Sequence, residues 1–110
     1  MKVYEGRRTD DGCVVTAGGR PLDLRLDLRM HADRPEWGYA GSGPAQLALA
    51  LLADAAGEAV ALCRYQCFKR SIVAQFDRAG WILTQGEIRS WIHALLTADK
   101  PPNGGPSPVA

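Results

Sequence analysis

The sequence predicts an α+β fold, a small antiparallel sheet from the N-terminal half packed against two or three C-terminal helices. Three observations carry that expectation. Short β-prone runs separated by glycine turns precede Gly41, an almost unbroken Ala/Leu run fills residues 45–56, and a helix-start signal stands at Thr84–Glu87.

The β-prone runs are Val3-Tyr4 and Cys13-Val14-Val15-Thr16, rich in branched and aromatic side chains. Thr9-Asp10-Asp11-Gly12 between them is a turn signal, because Asp bonds its own backbone and Gly tolerates positive φ. A hairpin follows, its loop spanning Gly6 to Gly12, with Arg7 and Arg8 either extending a strand or projecting from the turn. Gly18-Gly19-Arg20-Pro21 is a second turn. After it Leu22, Leu24, Leu26 and Leu28 alternate with Asp23, Arg25, Asp27 and Arg29. A period of two predicts a half-buried strand, and Pro21 and Pro35 make the segment an edge strand or an extended loop segment. Met30 to Ala40 has no period and is read as a loop carrying Trp37 and Tyr39.

From Ala45 to Ala56 only Gln46 and Asp54 are polar. A helix apolar on all sides belongs at the centre of a core. Pro44 suits its first turn and Gly57 its end. A second helix is expected over Glu58–Phe76, with Leu62, Tyr65, Phe68, Ile72 and Phe76 as its apolar stripe. Trp81-Ile82-Leu83 is a last short strand. Thr84-Gln85-Gly86-Glu87 is a capping box, stapled by Leu83 and Ile88, and Ile88, Trp91, Ile92 and Leu95 form the stripe of the third helix. One domain is expected over residues 1–98. The Pro/Gly-rich segment 99–110 reads as a disordered tail.

A chain of 110 residues is one domain by length, and 46% hydrophobic with 23% charged residues is an ordinary globular composition. Thirteen basic against twelve acidic side chains leave a net charge of +1, which argues against neutralising phosphates as the main business. Three cysteines without a secretory signal point to reduced thiols and a cytoplasmic setting. The longest apolar run, Leu47 to Ala53, is far short of the roughly 20 residues a membrane span needs. A soluble protein with no membrane partner is therefore expected.

Trp37-Gly38-Tyr39-Ala40-Gly41-Ser42-Gly43-Pro44-Ala45-Gln46-Leu47-Ala48-Leu49-Ala50-Leu51-Leu52 resembles a bacterial family known as domain of unknown function 6166. Lys2-Val3-Tyr4-Glu5-Gly6-Arg7-Arg8-Thr9 and Gly80-Trp81-Ile82-Leu83-Thr84 with Glu87-Ile88 fit the same pattern. The resemblance covers about residues 1–97. It implies one compact domain, often carried by phages and other mobile elements, and no catalytic residues. Where that family runs through an Asn-His-Ser-Pro-like stretch, this chain reads Met30-His31-Ala32-Asp33-Arg34-Pro35, and only His31 matches.

No motif announces a catalytic centre, a metal site or a cofactor. Gly41-Ser42-Gly43 before a helix fits an anion-binding turn, but it lacks the P-loop lysine and the dinucleotide spacing. Its other reading is a sharp turn packed on Trp37 or Tyr39. Cys63 and Cys67, four apart, could join His31 and His93 around zinc, or act as buried thiols filling space. Asp10, Asp11, Asp33 and Glu36 read as turn and surface carboxylates. Arg64, Lys69, Arg70 and Arg78 are the densest basic group, open to nucleic acid or simply a solvated helix face. Arg34, Trp37 and Tyr39 would form a protein-binding patch if both rings were exposed. The leading expectation is a non-enzymatic protein-binding accessory module, of the kind a phage or mobile element would use in an anti-defence or regulatory role. The alternatives are a nucleic-acid-binding factor, and a small enzyme or nucleotide binder at the glycine turn.

Overall fold

The computed structural model describes residues 1–98, so the segment 99–110 lies outside the described residues. Three N-terminal strands, β1 (Val3–Thr9), β2 (Gly12–Ala17) and β3 (Arg20–Pro21), precede two helices, α1 (Ser42–Ala56) and α2 (Glu58–Ser71). A 3-10 turn (Val73–Gln75), β4 (Gly80–Thr84) and α3 (Gln85–Ala98) complete the chain. The sheet is antiparallel in the order β3-β2-β1-β4, with Tyr4 facing Ala17 on one side and Leu83 on the other. This is the expected α+β arrangement, with β4 supplied by the C-terminal half.

The β1–β2 connection is tighter than the sequence implies. Thr9 pairs directly with Gly12, leaving only Asp10-Asp11 as the loop. The Thr9 hydroxyl closes it, accepting from the Asp11 amide and donating to the Gly12 carbonyl. Arg7 and Arg8 therefore belong to β1. Gly6 lies mid-strand because the Trp81 indole crosses its Cα: a Cβ there would stand 2.3 Å from Nε1. Trp81 in turn stacks on Phe76 (4.3 Å between centroids) and meets Trp37 edge-on. Its Nε1 is the buried side-chain nitrogen left without a partner among the described residues.

The helices follow their local signals. The capping box is made as expected: the Thr84 amide donates to Glu87 Oε1 at 2.9 Å and the Glu87 amide to Thr84 Oγ1 at 3.1 Å. Residues Pro44 to Ala53 of α1 are all buried, which places this helix at the centre of the core. α2 stops at Ser71, short of the expected Phe76, and the 3-10 turn carries Val73 into the core while Phe76 turns toward Trp81. Its buried stripe is Ala61, Tyr65 and Phe68.

The leucine alternation does not make a strand. β3 ends at Pro21, and beyond it Asp23 Oδ1 accepts from the Arg25 amide while Arg25 adopts φ 55°. The Arg25 carbonyl then accepts from the Leu28 amide, closing a turn. Leu22 and Leu28 pack against the core, and Leu26 is exposed. The physical reason is Gln46. This fully buried side chain donates to the carbonyls of Leu24 (2.7 Å) and Arg29 (3.0 Å), and accepts from the amides of His31 (2.7 Å) and Ala32 (3.3 Å). Backbone groups that a strand would pair along a ladder here converge on one amide.

Replacing Gln46 with Leu leaves two carbonyls and two amides without that partner, at about 1–3 kcal/mol for each group that stays unsatisfied. The expected result is a loss of about 3 kcal/mol or more in urea denaturation. A loss below about 1 kcal/mol would show that water replaces the amide freely.

Candidate functional site

The loop from Met30 to Ala40 runs from the Gln46 contacts to the start of α1 and faces the β1–β2 hairpin. Between them lies a cleft of about 480 Å³, lined by Arg8, Asp11, Cys13, Arg34, Pro35 and Glu36 among others. β1 presents Tyr4, Gly6 and Arg8 on one face by strand alternation, and β2 places Cys13 opposite Arg8. Tyr4 and Gly6 are covered by the helices and Trp81, whereas Arg8, nearest the hairpin tip, comes out into the cleft.

Arg8 grips Glu36 with both terminal nitrogens, at 3.0 and 3.2 Å, and its Nε donates to the Arg78 carbonyl. The guanidinium sits 4.7 Å above the Trp37 ring and also reaches Cys13 Sγ at 2.9 Å. The Cys13 thiol in turn lies 3.3 Å from Glu36 Oε2. The electrostatics follow from this packing. Arg8 holds the Glu36 carboxyl below the usual carboxylate range, assisted by the Trp37 amide. Burial and then the Glu36 carboxylate push the Cys13 thiol up, against the opposing pull of Arg8. A thiol raised in this way is a poor nucleophile. Arg8, Glu36 and Cys13 chiefly satisfy one another.

Trp37 and Tyr39 part company on this loop. Trp37 is fully buried, donating through Nε1 to the Arg78 carbonyl at 3.2 Å, so it supports the cleft from beneath and presents no face to a partner. Tyr39 remains 43% exposed, with its ring against Gly41 and close enough to influence Arg8. Gly38 between them has φ 86°, and that left-handed turn sends two residues that an extended chain would align to different sides. Arg34 is exposed and forms no hydrogen bond or ion pair with the described residues.

The other sequence candidates are scattered. At Gly43 the Glu36 stem lies 2.6 Å from where a Cβ would stand and Gly41 is covered likewise by Tyr39, so the turn is packed against the preceding loop. Ser42 opens α1 without a side-chain cap. Arg64 and Lys69 flank opposite sides of the buried α2 stripe, and Arg70 points away from it, at about 100° per residue. Arg78 lies in the turn before β4. These four cations do not share a face. Cys63 is exposed and Cys67 half-buried, so neither is the buried thiol expected. His31 shares a 2.7 Å hydrogen bond with the Tyr65 hydroxyl, and His93 lies apart on α3. Among the described residues no group of three His, Cys, Asp or Glu side chains could hold a metal ion, and no helix is long and apolar enough to cross a membrane.

The model of a family of unknown function, DUF6166, matches residues 4–94. The chain belongs to the DUF6166 family. No curated protein and no solved structure matches it. This DUF6166 domain thus carries its exposed Arg34 on a cleft whose inner groups, Arg8, Glu36 and Cys13, came from sequence positions that offered no motif, with exposed Tyr39 further along the same loop. The one hint was that an arginine at the inward-facing register of a strand needs a buried or half-buried anion.

Glu36→Gln removes two influences that raise the Cys13 pKa and leaves Arg8, which lowers it. The midpoint of Cys13 alkylation against pH is therefore expected to move down in the variant. An unchanged midpoint would mean that Glu36 does not act on the thiol.

Proposed function

We propose that this domain is a non-enzymatic binding module that docks on another protein through Arg34 at the Arg8–Glu36 cleft and Tyr39 further along the same loop. The observation that carries this reading is the pair itself: a large ring, and a guanidinium without a partner among the described residues, both held at the surface by a packed loop. Tyr and Arg are the side chains that most often anchor interfaces. Their rigid presentation lowers the ordering cost of association, because Tyr39 rests on Gly41 and the loop is tied down through Glu36, Trp37 and Gln46.

The polar groups inside the cleft support a binding role over a chemical one. Glu36 is held ionised by Arg8, and the Cys13 thiol is held protonated by burial and by Glu36. Neither is poised to accept or release a proton near neutral pH. If the family's phage and mobile-element setting extends to this chain, the partner is a host protein and the role is anti-defence or regulatory.

The test is affinity capture from a bacterial host lysate with the wild-type domain and with an Arg34→Glu, Tyr39→Ala double variant. The expected result is a stoichiometric protein partner held by the wild type and lost by the variant, with the variant's melting temperature kept. A partner retained by the folded variant, or binding only to nucleic acid that weakens steeply with salt, would overturn the proposal.

A further inference from the structure

A second cavity, of about 410 Å³, lies at the opposite end of α1, lined by Asp54, Ala55, Gly57, Val60, Arg89 and Ile92 among others. Two opposite charges share it without forming an ion pair. Arg89, on α3, donates through Nε to the Ala55 carbonyl at 2.8 Å, a bond that fixes the guanidinium plane. Its two terminal nitrogens make no hydrogen bond to the described residues. Asp54 uses one oxygen, Oδ2, for both the Tyr4 hydroxyl (2.6 Å) and Lys2 Nζ (3.0 Å), while Oδ1 carries no bond from the described residues. Burial, then Asp54, push the Tyr4 hydroxyl up, and Arg89 pulls it down, so the two charges act on the same atom.

A guanidinium anchored by Nε keeps its outer edge for a carboxylate, the planar anion that edge fits best. Lys2 balances Asp54, so the uncompensated charge here is that of Arg89, and a single carboxylate pairs with it. Ala55, Val60 and Ile92 give the remaining wall an apolar character. We propose that this cavity binds a small apolar acid carrying a hydrogen-bond donor beside its carboxylate, the class of free α-amino and α-hydroxy acids. The carboxylate lies on the outer edge of Arg89, which separates it from the negative end of α1. The donor meets Asp54 Oδ1, and the apolar body lies against Val60 and Ile92. The site is independent of the Arg8–Glu36 cleft.

The test is an NMR titration of the whole chain with L-leucine, its α-hydroxy analogue, isocaproate (which lacks the donor) and isopentylamine (which lacks the carboxylate). Saturable shifts at the Gly57 and Ile92 amides are expected with leucine, the hydroxy acid or both, the responsive compound naming the donor. Isocaproate is expected to bind about tenfold more weakly and the amine not at all. Arg89→Met is expected to abolish the response. Arg89→Lys, which keeps the charge without the planar edge, weakens it about tenfold and decides the matter if the Met variant does not fold. No saturable shift with either acid, or equal binding by a folded Arg89 variant, would overturn the proposal.

Discussion

Burying α1 on every side is the constraint on which the rest of this structure depends. The helix has no acidic residue in its first turn and no basic residue in its last, so its ends and its internal polar group must be met from elsewhere in the chain. Glu36 packs on Gly43 at the N-terminal end, and Arg89 bonds the Ala55 carbonyl at the C-terminal end. A guanidinium at the negative end complements the helix dipole. At the start of its second turn, Gln46 gathers four backbone groups of the residue 24–32 loop. An amide with two acceptors on one side and two donors on the other is fully used, and only such an amide belongs in a core.

That one requirement organises the surface. The loop pinned by Gln46 leads directly into Arg34, Glu36, Trp37 and Tyr39, so the cleft beside the hairpin is an extension of the core's hydrogen bonding. The same logic at the other end leaves Arg89 and Asp54 facing one cavity, each tied by part of its bonding capacity and neither paired to the other. Both surface features are therefore consequences of how a helix without complementary terminal charges of its own is buried, and both are held by parts of the chain far apart in sequence.

What was legible in the sequence were the local signals. The capping box at Thr84 and Glu87 and the all-apolar run of α1 act within a few residues and form as their chemistry dictates, and the turn at Asp10-Asp11 forms too, closed by the Thr9 hydroxyl in place of an Asp side chain. The leucine alternation misled because period two shows which side chains share a face only if the backbone has a strand to pair with. Pro21 ends the short β3, and Gln46 captures the groups that would have continued the ladder. Arg8, Cys13 and Glu36 were illegible for the complementary reason: their meeting depends on hairpin register and on a loop path that no spacing reveals. Trp37 and Tyr39 looked equivalent in sequence and are separated by the backbone turn at Gly38.

The central claim is that a loop without sheet pairing is held as firmly as the core because one buried amide holds it. Native-state hydrogen exchange of the His31 amide tests this most directly. Its donation to Gln46 Oε1 predicts protection close to that of the α1 amides, since the bond breaks only when the helix does. Exchange at the rate of an unprotected loop amide would contradict the account.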